Sequence, residues 1–139
     1  MTKVIVDTGP LVAFLAESDA AHRWAGPVFA EFEPPLLTCD VVIAEAFHLL
    51  TQTRSGADGL MNLLETKTIR LFSLADLDAS AVRKLLLRYK NVPMDLADAC
   101  VVRLSEMNPK ARVVTLDTDF RIYRRNRREA IPLIMPSHK

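Results

Sequence analysis

The run Val4-Ile5-Val6 constrains this chain more than any other feature. Three β-branched residues in a row have no polar face, so a strand built from them is buried on both sides. Strands of that kind belong to parallel sheets covered by helices above and below. The run stops at Asp7-Thr8-Gly9-Pro10. Pro10 suits the first position of a helix and Gly9 the cap before it. Asp7 therefore stands where a strand hands over to a helix.

The rest of the chain repeats the alternation. A helix is expected from after Asp19 to about Phe32, and Pro34-Pro35 breaks it. Leu36-Leu37-Thr38 reads as a second strand, and Asp40 as the N-cap of a helix from Val41 to about Thr53. Ser55-Gly56 interrupts before a helix over Asp58 to Thr66. Ile69 to Ser73 reads as a third strand. Asp76 or Asp78 can cap a helix ending near Asn91, before the break at Pro93. Asp95 caps a helix from Leu96 to Met107, which Asn108-Pro109 terminates. Arg112 to Leu116 is a fourth strand ending in Asp117-Thr118-Asp119, and Ile131 to Met135 a last short one. The expected fold is α/β, with a short central parallel sheet flanked by helices in three layers. No repeat or linker divides the sequence, so one domain over 1–139 is expected.

Composition narrows the function classes. Half of the 139 residues are apolar and a quarter are charged, with a net charge of +1. That is ordinary globular composition, and any nucleic-acid binding must come from a local patch. The apolar runs are too short to span a bilayer and no cleavable leader opens the sequence, so a cytoplasmic protein without a membrane partner is expected. Cys39 and Cys100 form no ligand or redox motif and read as small packed hydrophobes. Glycines stand only at 9, 26, 56 and 59, so there is no dinucleotide fingerprint and no P-loop. Gly9 also stands where an Asp-x-Asp phosphatase motif would need its second acid.

Acids at four places in the chain carry the functional reading. Asp7 ends a buried strand, where a carboxylate either accepts turn amides or binds a cation. Glu45 is the only charge in Val41 to Leu50; residues 42, 46, 49 and 50 form an apolar face and Glu45 falls beside Val41, His48 and Gln52. Asp95 and Asp98 resemble a capping box, yet they also bring two carboxylates to a helix start. Asp117 and Asp119 end another strand and can serve as turn and cap. Only the fold can gather acids so far apart. Once gathered they repel, and a hard divalent ion, Mg²⁺ or Mn²⁺, relieves the repulsion.

The same segments resemble a known family. Val4-Ile5-Val6-Asp7-Thr8-Gly9-Pro10-Leu11 looks like the opening strand and turn of PIN domains. Ile43-Ala44-Glu45-Ala46 resembles their second acidic position and Met94-Asp95-Leu96-Ala97-Asp98-Ala99 their third. Thr115-Leu116-Asp117-Thr118-Asp119-Phe120 is similar to their closing Thr-x-Asp-x-Asp-Phe. The four occur in order over essentially the whole chain, and in pattern they are most similar to the toxins of VapBC toxin–antitoxin pairs. The resemblance implies Mg²⁺- or Mn²⁺-dependent cleavage of RNA, with Asp7, Glu45, Asp98 and Asp117 as the core acids. It implies Asp7, Asp98 and Asp117 as metal ligands, and Glu45 as a ligand or as the holder of the attacking water. Asp119, Asp95, Thr8 and Thr115 match supporting positions, Asp95 being a cap first. It also implies an antitoxin protein and a homodimer as partners. The alternative is a PIN-like module that binds RNA or protein without cutting.

Beyond the acids, Arg121, Arg124, Arg125, Arg127 and Arg128 crowd one stretch. They read either as an RNA-steering patch or as a solvated helix face. Tyr123 among them is placed to stack a base. Trp24, Val28 and Phe32 make a stripe that suits core or a partner surface. His22, His48 and His138 have no ligand spacing.

Overall fold

Strand β1 (Val4–Val6) lies at the centre of a five-stranded parallel sheet. The computed structural model describes residues 3–53 and 55–137; the expectation for His138 lies outside the described residues. The sheet contains β2 (Leu36–Cys39), β3 (Ile69–Phe72), β4 (Arg112–Val114) and β7 (Leu133–Ile134), in the order β3-β2-β1-β4-β7. All three residues of β1 are buried, as a β-branched run with no polar face requires. Helices α1 (Thr8–Leu15), α2 (His22–Ala30), α3 (Asp40–Leu50) and α4 (Gly56–Glu65) connect β1 to β2 to β3, moving outward in one direction. Helices α5 (Ala79–Arg88) and α6 (Leu96–Met107) carry the chain back across the sheet to β4. Right-handed crossovers in opposite directions put the two groups on opposite faces. The packing agrees: α1 touches α2, α3 and α4, while α5 packs on α6, which lies against β1, β2 and β4. The expected three-layer α/β fold is what forms.

Several local expectations shift in register. Asp7, not Gly9, is the N-cap of α1, and Pro10 sits in its first turn rather than at its first position. Gly9 is needed for closeness instead, because a Cβ there would stand 3.3 Å from the Leu116 side chain. Cys39 is the N-cap of α3, and Asp40 is its first residue. The Asp40 carboxylate accepts the Val41 amide at 2.9 Å and the Leu74 amide at 3.4 Å, tying the end of β2 to the segment after β3. Gly56 opens α4 rather than interrupting before it. A side chain there would collide with Thr53 and Leu50. Asp78 caps α5 through the Ser80 amide, while Asp76 caps the preceding turn through Ser73. β4 stops at Val114, although the Thr115 amide still bonds to the Ile134 carbonyl of β7.

Beyond β4 the chain makes a 3-10 turn (Thr118–Arg121) and a hairpin of β5 (Arg124–Arg125) and β6 (Glu129–Ala130). Cys39 and Cys100 are buried free thiols. Trp24, Val28 and Phe32 are half-buried against the core, and the Arg112 guanidinium lies 5.4 Å over the Phe32 ring. Among the described residues no helix is long and apolar enough to cross a membrane.

Candidate active site

The strand order reverses its direction of travel between β1 and β4. At such a point the flanking loops diverge beyond the carboxyl ends and leave a crevice. A cleft of about 460 Å³ lies there, lined by Asp7, Thr8, Gly9, Glu45, Leu49, Asp95, Asp98, Leu116 and Asp117. Asp7 comes from the end of β1, Glu45 from α3, Asp95 and Asp98 from the start of α6, and Asp117 from the loop after β4. Five acids from distant parts of the sequence thus line one cleft.

Protein donors fix one oxygen of each aspartate. The Thr115 hydroxyl donates to Asp7 Oδ2 at 2.7 Å and accepts the Asp117 amide at 3.0 Å. Asp117 Oδ1 accepts the Asp119 amide at 2.9 Å, which makes Asp117 the cap of the 3-10 turn. Asp98 Oδ2 accepts the Asp95 amide at 3.2 Å, and Asp95 Oδ1 accepts the Asp98 amide at 2.8 Å, a reciprocal capping box. The other oxygens, Asp7 Oδ1, Asp98 Oδ1 and Asp117 Oδ2, take no side-chain hydrogen bond among the described residues.

The acids feel one another. Burial pushes the Asp7 carboxyl up to about 6, and the charges of Asp117 and Glu45 add to that against the hydrogen bonds from Thr115 and Thr8. Burial likewise raises Asp98 to about 7, with Asp95, Asp7 and Asp117 adding repulsion. Glu45 is exposed on the rim. Its neighbour one turn on, Leu49, is 51% exposed and faces the cleft with it rather than joining the buried face of Val42, Ala46 and Leu50. The sequence reading assigned Leu49 to that face; the i, i+4 spacing from Glu45 was the available signal.

The profile of the PIN domain matches residues 4–126. The chain belongs to the PIN-domain family. No curated protein matches its sequence. Among solved structures, this PIN domain is similar to VapC20 of Mycobacterium tuberculosis, described as a toxin that cleaves the sarcin–ricin loop. The TM-score is 0.74 at 22% identity, covering 84% of this chain and 92% of that one. It is also similar to a toxin–antitoxin complex from Klebsiella pneumoniae, with TM-score 0.62, 16% identity, and coverage of 84% and 88%. A third likeness is to VapBC2 of Rickettsia felis bound to a DNA fragment of its promoter, with TM-score 0.64, 10% identity, and coverage of 98% and 100%. At these identities the likenesses establish the fold.

The donor set of this PIN domain suits a hard divalent ion. It is all oxygen, mutually repelling, and partly desolvated. Thr8 Oγ1 also lies buried in the cleft wall and has no hydrogen-bond partner among the described residues. Among the described residues, however, no three Asp, Glu, His or Cys side chains are arranged to hold a metal as they stand.

The arginine stretch takes a form that the sequence reading did not weigh. It is a turn and a hairpin rather than a helix face. Arg125 is buried at 4% exposure, with its guanidinium on Ser105 of α6 and on Glu129, so it has no surface to steer RNA. Arg124 donates to the carbonyls of Arg121, Ile122 and Tyr123. Arg127 and Arg128 are exposed on the hairpin. Through Ser105 the hairpin is anchored about 10 Å along α6 from Asp98, away from the acids. Arg121, in the turn directly after Asp117, is exposed. Tyr123 is fully buried and cannot stack a base. Its hydroxyl instead donates to Asp98 Oδ2 at 3.3 Å, a contact with no signal in the sequence. Burial and the nearby acids push its own ionisation far up, so it keeps that proton.

Proposed function

We propose that this PIN domain is a Mg²⁺- or Mn²⁺-dependent endoribonuclease and the toxin of a toxin–antitoxin pair. The observation that carries the reading is the convergence of Asp7, Glu45, Asp98 and Asp117 on one cleft at the point where the sheet reverses its winding. A module that only grips RNA has no use for clustered negative charge, which would repel the phosphate backbone. Family membership and the described activity of the Mycobacterium tuberculosis neighbour support the same reading.

Asp7, Asp98 and Asp117 would hold the ion through the oxygens that make no side-chain hydrogen bond. The bound ion would supply a water of lowered pKa and positive charge against the phosphate oxygens. Thr115 ties the Asp7 carboxylate to the Asp117 backbone, and the acidic side chains would close around the ion from there. Glu45, on the rim, is placed to orient a water by hydrogen bond or to complete the ligand set. Thr8 Oγ1 has an unused donor and acceptor for a water or a phosphate oxygen. Arg121 would meet the RNA backbone beside the cleft. The same acidic cleft is where an antitoxin would block the enzyme, in keeping with the complexes among the neighbours. A homodimer and a cytoplasmic setting belong to the same proposal.

The test is cleavage of a mixed RNA pool with Mn²⁺, Mg²⁺ or EDTA, comparing wild type with Asp7→Asn. Cleavage by wild type in metal alone, lost by more than about a hundredfold in Asp7→Asn, supports the reading. Folded, partner-free protein that cuts with neither metal overturns it and leaves the non-cutting binding module.

A further inference from the structure

Tyr123 has no surface to offer a ligand, yet it ends on one of the acids. Its ring is fully buried. Phe120 and Tyr89 hold it edge-on, each with ring centroids 5.2 Å away. A buried phenol needs a hydrogen-bond partner, and Tyr89 shows the ordinary solution: its oxygen accepts the backbone amide of Arg124 at 2.9 Å. Tyr123 instead spends its proton on the Asp98 carboxylate. The oxygen that it meets, Oδ2, is the one already bonded to the Asp95 amide. Two donors therefore converge on one oxygen, one from the capping box and one from the loop after β4. The two oxygens of a carboxylate are equivalent, so the second donor adds a fixed rotation about Cβ–Cγ: one oxygen is held by the protein, and the other takes no side-chain hydrogen bond among the described residues.

We infer that Tyr123 is a positioning residue that locks the Asp98 carboxylate through Oδ2 and reserves Oδ1 for whatever the cleft binds. The inference rests on the nuclease reading of that cleft. It also ties the acid of α6 to the segment that follows Asp117.

The experiment titrates Mn²⁺ alone into wild type, Tyr123→Phe and Tyr89→Phe, read calorimetrically, with melting temperature and the KM for an RNA oligonucleotide measured alongside. Tyr123→Phe keeps the ring packing and removes only the hydroxyl. The expected result is a Kd for Mn²⁺ weakened about fivefold to tenfold in Tyr123→Phe, with KM unchanged and Tyr89→Phe binding like wild type. Equal Mn²⁺ affinity in wild type and Tyr123→Phe overturns the inference. Equal weakening in both variants also overturns it, since the effect would then belong to the packing of the cluster. If wild type itself takes up no Mn²⁺, the nuclease reading fails first and the inference falls with it.

Discussion

The Thr115 hydroxyl reaches Asp7 Oδ2 at 2.7 Å across 108 residues of sequence, and it also accepts the Asp117 amide at 3.0 Å. Removing only its oxygen tests that role. Thr115→Val should cost about 1–3 kcal/mol of stability, because a buried carboxylate and a half-buried amide both lose a partner. Thr115→Ser should keep most of it. Denaturant unfolding of the three proteins checks the order; a Val variant as stable as wild type would remove Thr115 from the account.

Metal-free stability should fall as pH rises. Asp7 and Asp98 titrate near 6 and 7 in the fold, above the usual carboxylate value of 3.8. The folded chain therefore binds more protons than the unfolded one between those values. The contribution is complete below about pH 4 and is lost progressively up to about pH 7. For Asp7 alone it amounts to at most about 3 kcal/mol. Melting temperature in EDTA should thus be higher at pH 5 than at pH 8, and Asp7→Asn should flatten the difference. A flat wild-type profile would contradict the buried, crowded state of these acids.

Arg125 and Arg128 should behave as different residues despite their spacing of three. Arg125→Ala removes donors to Ser105 and Glu129 and should cost about 2 kcal/mol. Arg128→Ala, at an exposed position, should stay within about 0.5 kcal/mol. Chemical denaturation decides it; equal effects would place Arg125 on the surface after all.

Gly56→Ala should destabilise by about 1–3 kcal/mol through overpacking, because a Cβ would stand 2.1 Å from Thr53 Oγ1 and 2.9 Å from Leu50 Cδ2. Gly26→Ala meets no neighbour beyond the adjoining residues, and only the ring of Pro27 after it crowds the new Cβ, so it should cost less than Gly56→Ala. Paired thermal melts of the two variants report the contrast.

The sheet and the acids were legible because they rest on local chemistry. A β-branched run has one comfortable place, and an acid at its end falls at the carboxyl edge of the sheet whatever the rest of the chain does. The registers of α1, α3 and α4 were less legible, since they depend on neighbours outside each helix: the Leu116 side chain beside Gly9, the Leu74 amide on Asp40, and Leu50 and Thr53 beside Gly56. The arginine stretch was misread for a stronger reason. Five cations in eight residues look solvated, and only the approach of α6 supplies the Ser105 oxygens that draw Arg125 inside. Tyr123 is the same case: an aromatic among arginines reads as a base platform until the fold closes Phe120 and Tyr89 around it.

Asp7 sits at the end of the central strand, which is paired on both sides and buried throughout. Its amide donates to the Val114 carbonyl at 3.0 Å. Edge strands β3 and β7 can breathe without disturbing it, and amide hydrogen exchange should find the floor of the cleft among the last protons released. The acids on α3 and α6 are then walls mounted on a foundation that opens only when the whole molecule does.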